Sequence, residues 1–343
     1  MLTIRRGDAI VATLSEPREH PIGPWLVALG AGLWGTESAW RIPLNDVFDA
    51  DVLVFWEHVI LVLCALPLVI PRLGELRRVS ARALGYLVFS GVAGSAVGAV
   101  LFTLALKYGH PTVVNIVLNL QPLLSTGAAF LLFGDRLARG FAPWAALAVL
   151  AGMALVGFAP QTAGAHVGLI DAGTWFALAC ALCWGLATVA GRGTMVEMSL
   201  PLAAGLRVIV GLVSMAVIIV VRGKVGADVL WPAAAAAKSS KVVGQLLLLA
   251  ILSGGIPLLA YFKGLALTRA STAGYFEMMQ TLVAVVITWA FFNDPLLWEQ
   301  VLAAVVLVAA VTMVQRAQAS TALGRPEPLA VPFARLVRRR DDT

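Results

Sequence analysis

Ionisable side chains are scarce in the middle of this 343-residue chain, and six stand inside long apolar runs: Glu37, Glu57, His58, Arg207, Lys263 and Glu277. A charge in hydrocarbon costs at least about 2.5–3.5 kcal/mol, so each is a candidate for holding a charged solute group or carrying a proton. The amides Asn119, Gln121 and Gln280 and the indoles Trp34 and Trp184 lie in runs of the same kind. They offer hydrogen bonds and a stacking face without a buried charge, which suits a small organic solute in a mostly apolar pocket. The set does not add up to a reaction centre. His58 has no second histidine one helical turn away, no Ser–Lys arrangement converges, and no GxxxxGK[ST] phosphate loop occurs. Cys180 and Cys183, three apart in one apolar run, read as small packing residues. With Cys64 they make neither a disulfide framework nor a metal site. No cofactor or metal is expected, and an intramembrane enzyme is the weakest rival reading.

The elements that must position these residues follow from composition. The chain is 60% hydrophobic and 13% charged, where a soluble domain carries roughly 25% charged residues. Blocks such as 140–159 and 172–191 contain no charge and are long enough to cross about 30 Å of hydrocarbon as helices. Apolar runs and breakers predict spans near 24–44, 51–70, 83–106, 112–134, 140–159, 171–191, 201–221, 242–267, 271–292 and 296–315. The runs are apolar all round rather than alternating, so a strand barrel is excluded. A net charge of +6 marks topology rather than nucleic-acid binding, because the basic residues flank spans and fill tails. With the amino terminus inside, 17 of the 25 Lys and Arg residues fall in inside segments and six outside, Arg207 and Lys263 being within spans. Both termini are therefore expected in the cytoplasm, as in a multi-pass protein of the inner (cytoplasmic) membrane.

The two halves repeat. Trp34-Gly35 recurs as Trp184-Gly185, and the segments from Leu104 and Leu265 align so that Leu-Ala-Leu opens both, Gln121 pairs with Gln280 and Asp135 with Asp294. Each unit has five spans, an odd number, so the second copy must be inverted. Inverted repeats place a site near the midplane, where the copies meet. The expected organisation is an amino-terminal tail (1–23), a first five-helix repeat (24–159), a second (171–315) and a basic carboxyl-terminal tail (316–343).

The run ending in Leu33-Trp34-Gly35, the Ala105-Leu106-Lys107-Tyr108 corner, Pro122 and the Leu132-Phe133-Gly134-Asp135-Arg136-Leu137 exit from the fourth span resemble the drug/metabolite transporter superfamily, and within it the EamA-type permeases. The resemblance covers nearly the whole chain apart from the tails. It implies a permease for a small organic metabolite, with export the commoner direction. Two departures are the acid and histidine of Glu57-His58, where such permeases often have a basic residue, as at Arg207, and Glu37 in the first span.

Rise along the helices, about 1.5 Å per residue, sorts the polar residues by depth. Glu37, Glu57, His58 and Asn119 form an outer layer, and Arg207, Glu277 and Lys263 an inner one. Trp34, Gln121 and Gln280 lie between, with Trp184 nearer the inside. Inversion separates Glu57 from Arg207 by roughly 12 Å in depth. The expected pairs are therefore Arg207 or Lys263 with Glu277. Arg41 and Lys107 read as interfacial anchors, which leaves Glu37 without an oppositely charged neighbour four residues away. Small residues Gly91, Gly94, Ser95, Gly98, Ser253, Gly254 and Gly255 suit close packing, and Pro67, Pro122 and Pro257 suit bending.

Together these residues predict a secondary transporter working by alternating access. The expected substrate site is Trp34, Glu37, Glu57, His58, Asn119, Gln121, Trp184, Arg207, Glu277 and Gln280. An amino acid, an amine or a drug-like compound fits such a cavity. Glu37 and Glu57 are the expected proton carriers, an uncoupled facilitator or channel is the alternative, and the expected partners besides the solute and protons are the lipid bilayer and a second copy in a homodimer.

Overall fold

A computed structural model describes residues 20–109, 111–133, 140–157, 172–232, 239–292 and 297–322. Residues 1–19 and 323–343 of the tails, and residues 134–137 of the exit from the fourth span, including Asp135, together with its repeat partner Asp294, lie outside the described residues. Among the described residues the secondary structure is helical, and the major helices group into ten rods that make the protein an all-α integral membrane fold. α1 (22–45) is broken into Ile22–Trp34 and Glu37–Asn45. α2 (Ala50–Val69) continues into the 3₁₀ segment Ile70–Arg78. α3 (Ala81–Tyr108) contains a π-helical stretch, Ser90–Val97, and α4 (111–133) is broken into Pro111–Leu118 and Gln121–Phe133. α5 (Phe141–Gly157), α6 (Ala172–Thr194) and α7 (Leu200–Val221) are continuous. α8 (Ser239–Ala266) contains the π stretch Leu248–Gly255, α9 (270–292) is broken into Ala270–Phe276 and Met279–Phe292, and α10 spans Trp298–Ala322.

Five of these helices are long and apolar enough to cross a bilayer unbroken: α2 with its 3₁₀ extension, α3, α6, α7 and α8. The irregularities recur at matching places in the two halves. A π stretch interrupts both α3 and α8, and a break interrupts both α4 and α9. Such features concentrate where a membrane helix lines a cavity or bends, because an exposed backbone group in lipid is costly.

Packing displays the inversion directly. α1 lies on α8 as α6 lies on α3; α2 packs on α7, α4 on α9 and α5 on α10. Exchanging each helix for its mate in the other half returns the same set of neighbours, which is a pseudo-twofold between two inverted five-helix repeats. Lipid tails are as apolar as leucine, so helices in a bilayer associate through close packing and polar ties rather than exclusion from water. Small residues supply the packing: Gly264 meets Gly23 and Val27 between α1 and α8, and Gly109 meets Gly173 between α3 and α6.

Polar ties fasten the ends of α7 and its flanking residues to α2 and α3. Asp51, at the start of α2, accepts from Arg222 (2.9 Å) and Lys224 (2.9 Å) beyond the end of α7, and Asp49 accepts from Lys224 at 2.7 Å. At the opposite end, Glu75 accepts from the backbone N–H (3.0 Å) and hydroxyl (2.8 Å) of Ser199, the N-cap of α7. Glu197 does the same for Ser80, the N-cap of α3, at 2.7 and 2.8 Å. Each loop thus caps a helix of the other half.

Candidate functional site

A cavity of about 110 Å³ opens between the halves. It has room for roughly seven to ten water molecules, or one small organic solute. Nine of the ten sequence-predicted residues line it: Trp34, Glu37, Glu57, His58, Gln121, Trp184, Arg207, Glu277 and Gln280. Glu37, Glu57 and His58 of the outer layer and Arg207 and Glu277 of the inner one therefore face one space. Asn119 is not in the lining. It is buried at the break of α4, where its Oδ1 accepts from Thr281 of α9 at 2.9 Å and ties the two broken helices together.

The repeated Trp-Gly dipeptides explain how the walls meet. A Cβ at Gly35 would lie 2.5 Å from the Gln280 carbonyl oxygen, and one at Gly185 would lie 3.3 Å from that of Gln121. Each glycine lets its helix close onto the repeated glutamine of the opposite half, bringing the adjacent tryptophan to the cavity. After Gly35, Thr36 turns its hydroxyl to the Leu33 carbonyl (2.7 Å) and to Ser253 in the π stretch of α8 (2.8 Å). Trp34 stacks at a tilt on Tyr261, with centroids 4.9 Å apart. Trp184 packs on Phe102 and donates its indole N–H to Gly94 at 3.0 Å.

One end of the cavity holds an ion cluster that corrects the reading of Arg41. Arg41 is only 1% exposed and is not an interfacial anchor. Its Nε donates to Glu37 (2.5 Å), Nη2 to Glu57 (2.7 Å) and Nη1 to Thr103 (2.8 Å), while the guanidinium also lies 6.0 Å from the Phe102 ring centre. Glu37 therefore does have a partner four residues on. The second half of α1 carries Arg41 inward instead of ending at the surface, and the Glu37-x-x-x-Arg41 spacing was the signal for it. Beside the cluster, His58 donates Nδ1–H to the Val54 carbonyl at 2.9 Å and turns Nε2 toward Gly211. Lys107, by contrast, is partly exposed, 3.8 Å from Asp49.

The other end holds Arg207 and Glu277, both buried. Among the described residues no ion pair joins them, nor does Glu277 pair with Lys263, which is exposed. The reason is that neutral donors occupy Glu277: Thr188 (3.0 Å) and Tyr261 (2.9 Å) on Oε1, and the Gln121 amide on Oε2. Arg207 donates its Nε to Ser95 at 3.0 Å and lies over Phe262 at 5.4 Å. Tyr261 and Thr188 escaped the sequence reading, and Ser95 and Ser253 entered it only as packing residues, because hydroxyls in a membrane carry little penalty and leave no compositional mark.

The lining thus carries three carboxylates and two guanidiniums among apolar walls that include Leu61, Ala99, Val208 and Leu258. Among the described residues no three His, Cys, Asp or Glu side chains gather as a metal site. The arrangement suits a charged or dipolar solute held among aromatic rings.

No curated protein matches the sequence. A solved structure described as "Crystal structure of protein" shares the fold, with a TM-score of 0.61 at 19% identity over 85% of this chain and 96% of that one. The model of the EamA-like transporter family matches twice, over residues 21–158 and 171–316, one match for each inverted half around the cavity. The chain belongs to the EamA-like transporter family, membrane transporters of small molecules.

Proposed function

We infer that the protein is a secondary transporter carrying a small organic metabolite across the cytoplasmic membrane by alternating access, with export the expected direction. The observation that carries this reading is the polar cavity enclosed between inverted halves of an otherwise apolar bundle. The breaks in α1, α4 and α9 and the π stretches in α3 and α8 supply bending points on its walls. The ties of Asp49 and Asp51 at one end, and of Glu75 and Glu197 at the other, are the contacts that opening must release.

Proton exchange is part of the proposal. Two carboxylates share the single guanidinium of Arg41, leaving one buried negative charge that a proton neutralises when the cavity is shut from water. Both termini are assigned to the cytoplasm by the bias of basic residues.

Purified protein in liposomes tests the reading. Solute flux that saturates and shows counterflow supports a carrier; unsaturable ion current identifies a channel and overturns it. Replacing Glu37 and Glu57 together by Gln abolishes the response of flux to a pH gradient, and an unchanged response refutes their role.

A further inference from the structure

The two ends of the cavity are closed by different means. α6 runs unbroken from Ala172 to Thr194, through Gly185 and Leu186, whereas its mate α1 breaks at Gly35-Thr36 and resumes as Glu37–Asn45. Before the break, α1 is pinned to the backbones of α8 and α9. A Cβ at Gly30 would lie 2.7 Å from the Pro257 carbonyl oxygen, and one at Gly35 2.5 Å from that of Gln280; one at Gly264 would lie 2.6 Å from that of Gly23. Such contacts leave no slack, so Ile22–Trp34 and Ile256–Ala266 form one rigid body.

Beyond the break the same two helices stay together but are held differently. Residues 37–45 contain no glycine, and none of them is exposed. Leu44 shares an apolar cluster with Val242 and Leu246 of Ser239–Leu247, the first part of α8. The π stretch Leu248–Gly255 separates that part of α8 from the pinned part, and Ser253 within it bonds Thr36 at the break of α1 (2.8 Å). The two irregularities therefore lie side by side, as a common hinge requires. Val52 and Leu53 of α2 belong to the same apolar cluster, and non-directional contacts of that kind permit sliding. The directional ties run from α1 to α2 and α3: Arg41 to Glu57 (2.7 Å) and Thr103 (2.8 Å), and Asn45 to the Thr103 carbonyl (3.4 Å). Ser38 Oγ and Asn45 Oδ1 meet no hydrogen-bond partner among the described residues, a cost that contact with water removes.

Resting on the transporter reading above, we propose that the Arg41 end of the cavity opens by a two-helix flap. Residues 37–45 of α1 and 239–247 of α8 swing together about Gly35-Thr36 and the π stretch, and Arg41 is the latch that holds the flap shut on Glu57 and Thr103. Asp49 follows the flap closely in sequence, so its release from Lys224 and Lys107 belongs to the same movement. The opposite end has no counterpart: α3 carries a π stretch, but α6 beside it is continuous, and the repeat mate of Arg41 is Gly191. Opening there requires α6 to move as a whole.

The test uses the full-length protein in liposomes with Cys64, Cys180 and Cys183 replaced, and the small membrane-impermeant cation trimethylammonioethyl methanethiosulfonate as the thiol probe. The reporters are Ser38→Cys, on the flap and outside the cavity lining, and Ala190→Cys, buried on α6. Ser38→Cys should react only from the face that bears Asp49. Thr103→Val, which removes one latch contact and no charge, should raise that rate about fivefold, the weight of one hydrogen bond. The triple variant R41Q/E37Q/E57Q, which removes the latch itself, should raise it at least about tenfold. Ala190→Cys should react slowly from both faces in every background. Rates at Ser38→Cys that neither variant changes overturn the flap. Equal increases at both reporters also overturn it, because they mean a general loosening of the bundle. Both results leave the transporter reading standing if Ala99→Cys, on the cavity wall, still reacts from one face alone. Reaction of Ala99→Cys and Ser38→Cys from both faces at once overturns the flap and the transporter reading together.

Discussion

Replacing Arg41 by Gln removes the cation on which two buried carboxylates depend. The wild-type guanidinium makes hydrogen bonds of 2.5 Å to Glu37 and 2.7 Å to Glu57, and one of 2.8 Å to Thr103. Breaking a buried ion pair by deleting one partner costs about 3–5 kcal/mol, because the remaining charge stays buried without compensation. The single variants E37Q and E57Q each leave Arg41 with one carboxylate, so each should cost less, about 1.5–3 kcal/mol for the charge-assisted bond lost. The triple variant R41Q/E37Q/E57Q removes every charge of the cluster and should recover most of the loss. At roughly 2 °C per kcal/mol for a chain of this size, R41Q lowers the unfolding temperature in nanodiscs by about 6–10 °C, followed by tryptophan fluorescence. A shift under about 2 °C, or a triple variant no better than R41Q, would refute the account of Arg41 as the shared counter-ion.

Three further outcomes follow from the same structure. Lys224 holds the Asp49 carboxyl below its usual range, chiefly through their hydrogen bond, and Asp49 and Asp51 hold the Lys224 ammonium above its usual range against desolvation. A carboxyl lowered on folding stabilises above its unfolded value and loses that contribution as pH falls through its folded one; a raised ammonium loses its contribution only as pH rises past the ordinary lysine range. D49N should therefore flatten the acid limb of a plot of unfolding temperature against pH, and an unchanged limb contradicts the tie. G35A forces a methyl group against the Gln280 carbonyl at 2.5 Å, whereas the nearest atom facing Gly185 is 3.1 Å away. G35A should cost about 1–3 kcal/mol in the same unfolding assay and more than G185A; the reverse order contradicts the packing argument. E75Q weakens the cap of α7, so hydrogen exchange should quicken at its first turn while the start of α3, capped by Glu197, keeps its protection.

Much of the fold is legible in the sequence because lipid imposes one rule on every span. The apolar blocks mark the helices to within a few residues at most ends, and Trp34-Gly35 with Trp184-Gly185, Gln121 with Gln280, mark both the repeat and the contacts that join it. The candidate cavity is legible in part for the same reason, since Glu37, Glu57, Arg207 and Glu277 stand out against hydrocarbon. Partnership is less legible. Arg41 hides near the end of an apolar run, because its one local signal, the four-residue spacing from Glu37, does not say that the break of α1 at Gly35-Thr36 turns the guanidinium inward. The pairing of Arg207 with Glu277 fails because Gln121, Thr188 and Tyr261 reach the carboxylate from three other helices, a convergence that depth along straight helices does not contain. Asn119 shares their chemistry and not their place, because the break in α4 directs it to Thr281.

Alternating access is the central claim, and a thiol on the cavity wall tests it. Ala99 lines the cavity without belonging to the polar network, and Cys64, Cys180 and Cys183 are the three cysteines to replace in the background. In this background Ala99→Cys, labelled with a membrane-impermeant maleimide applied to either face, should react from one face in the substrate-free protein. Addition of transported solute should shift labelling toward the other face. Equal, simultaneous labelling from both faces, unaltered by solute, would show an open path through the membrane and contradict the account.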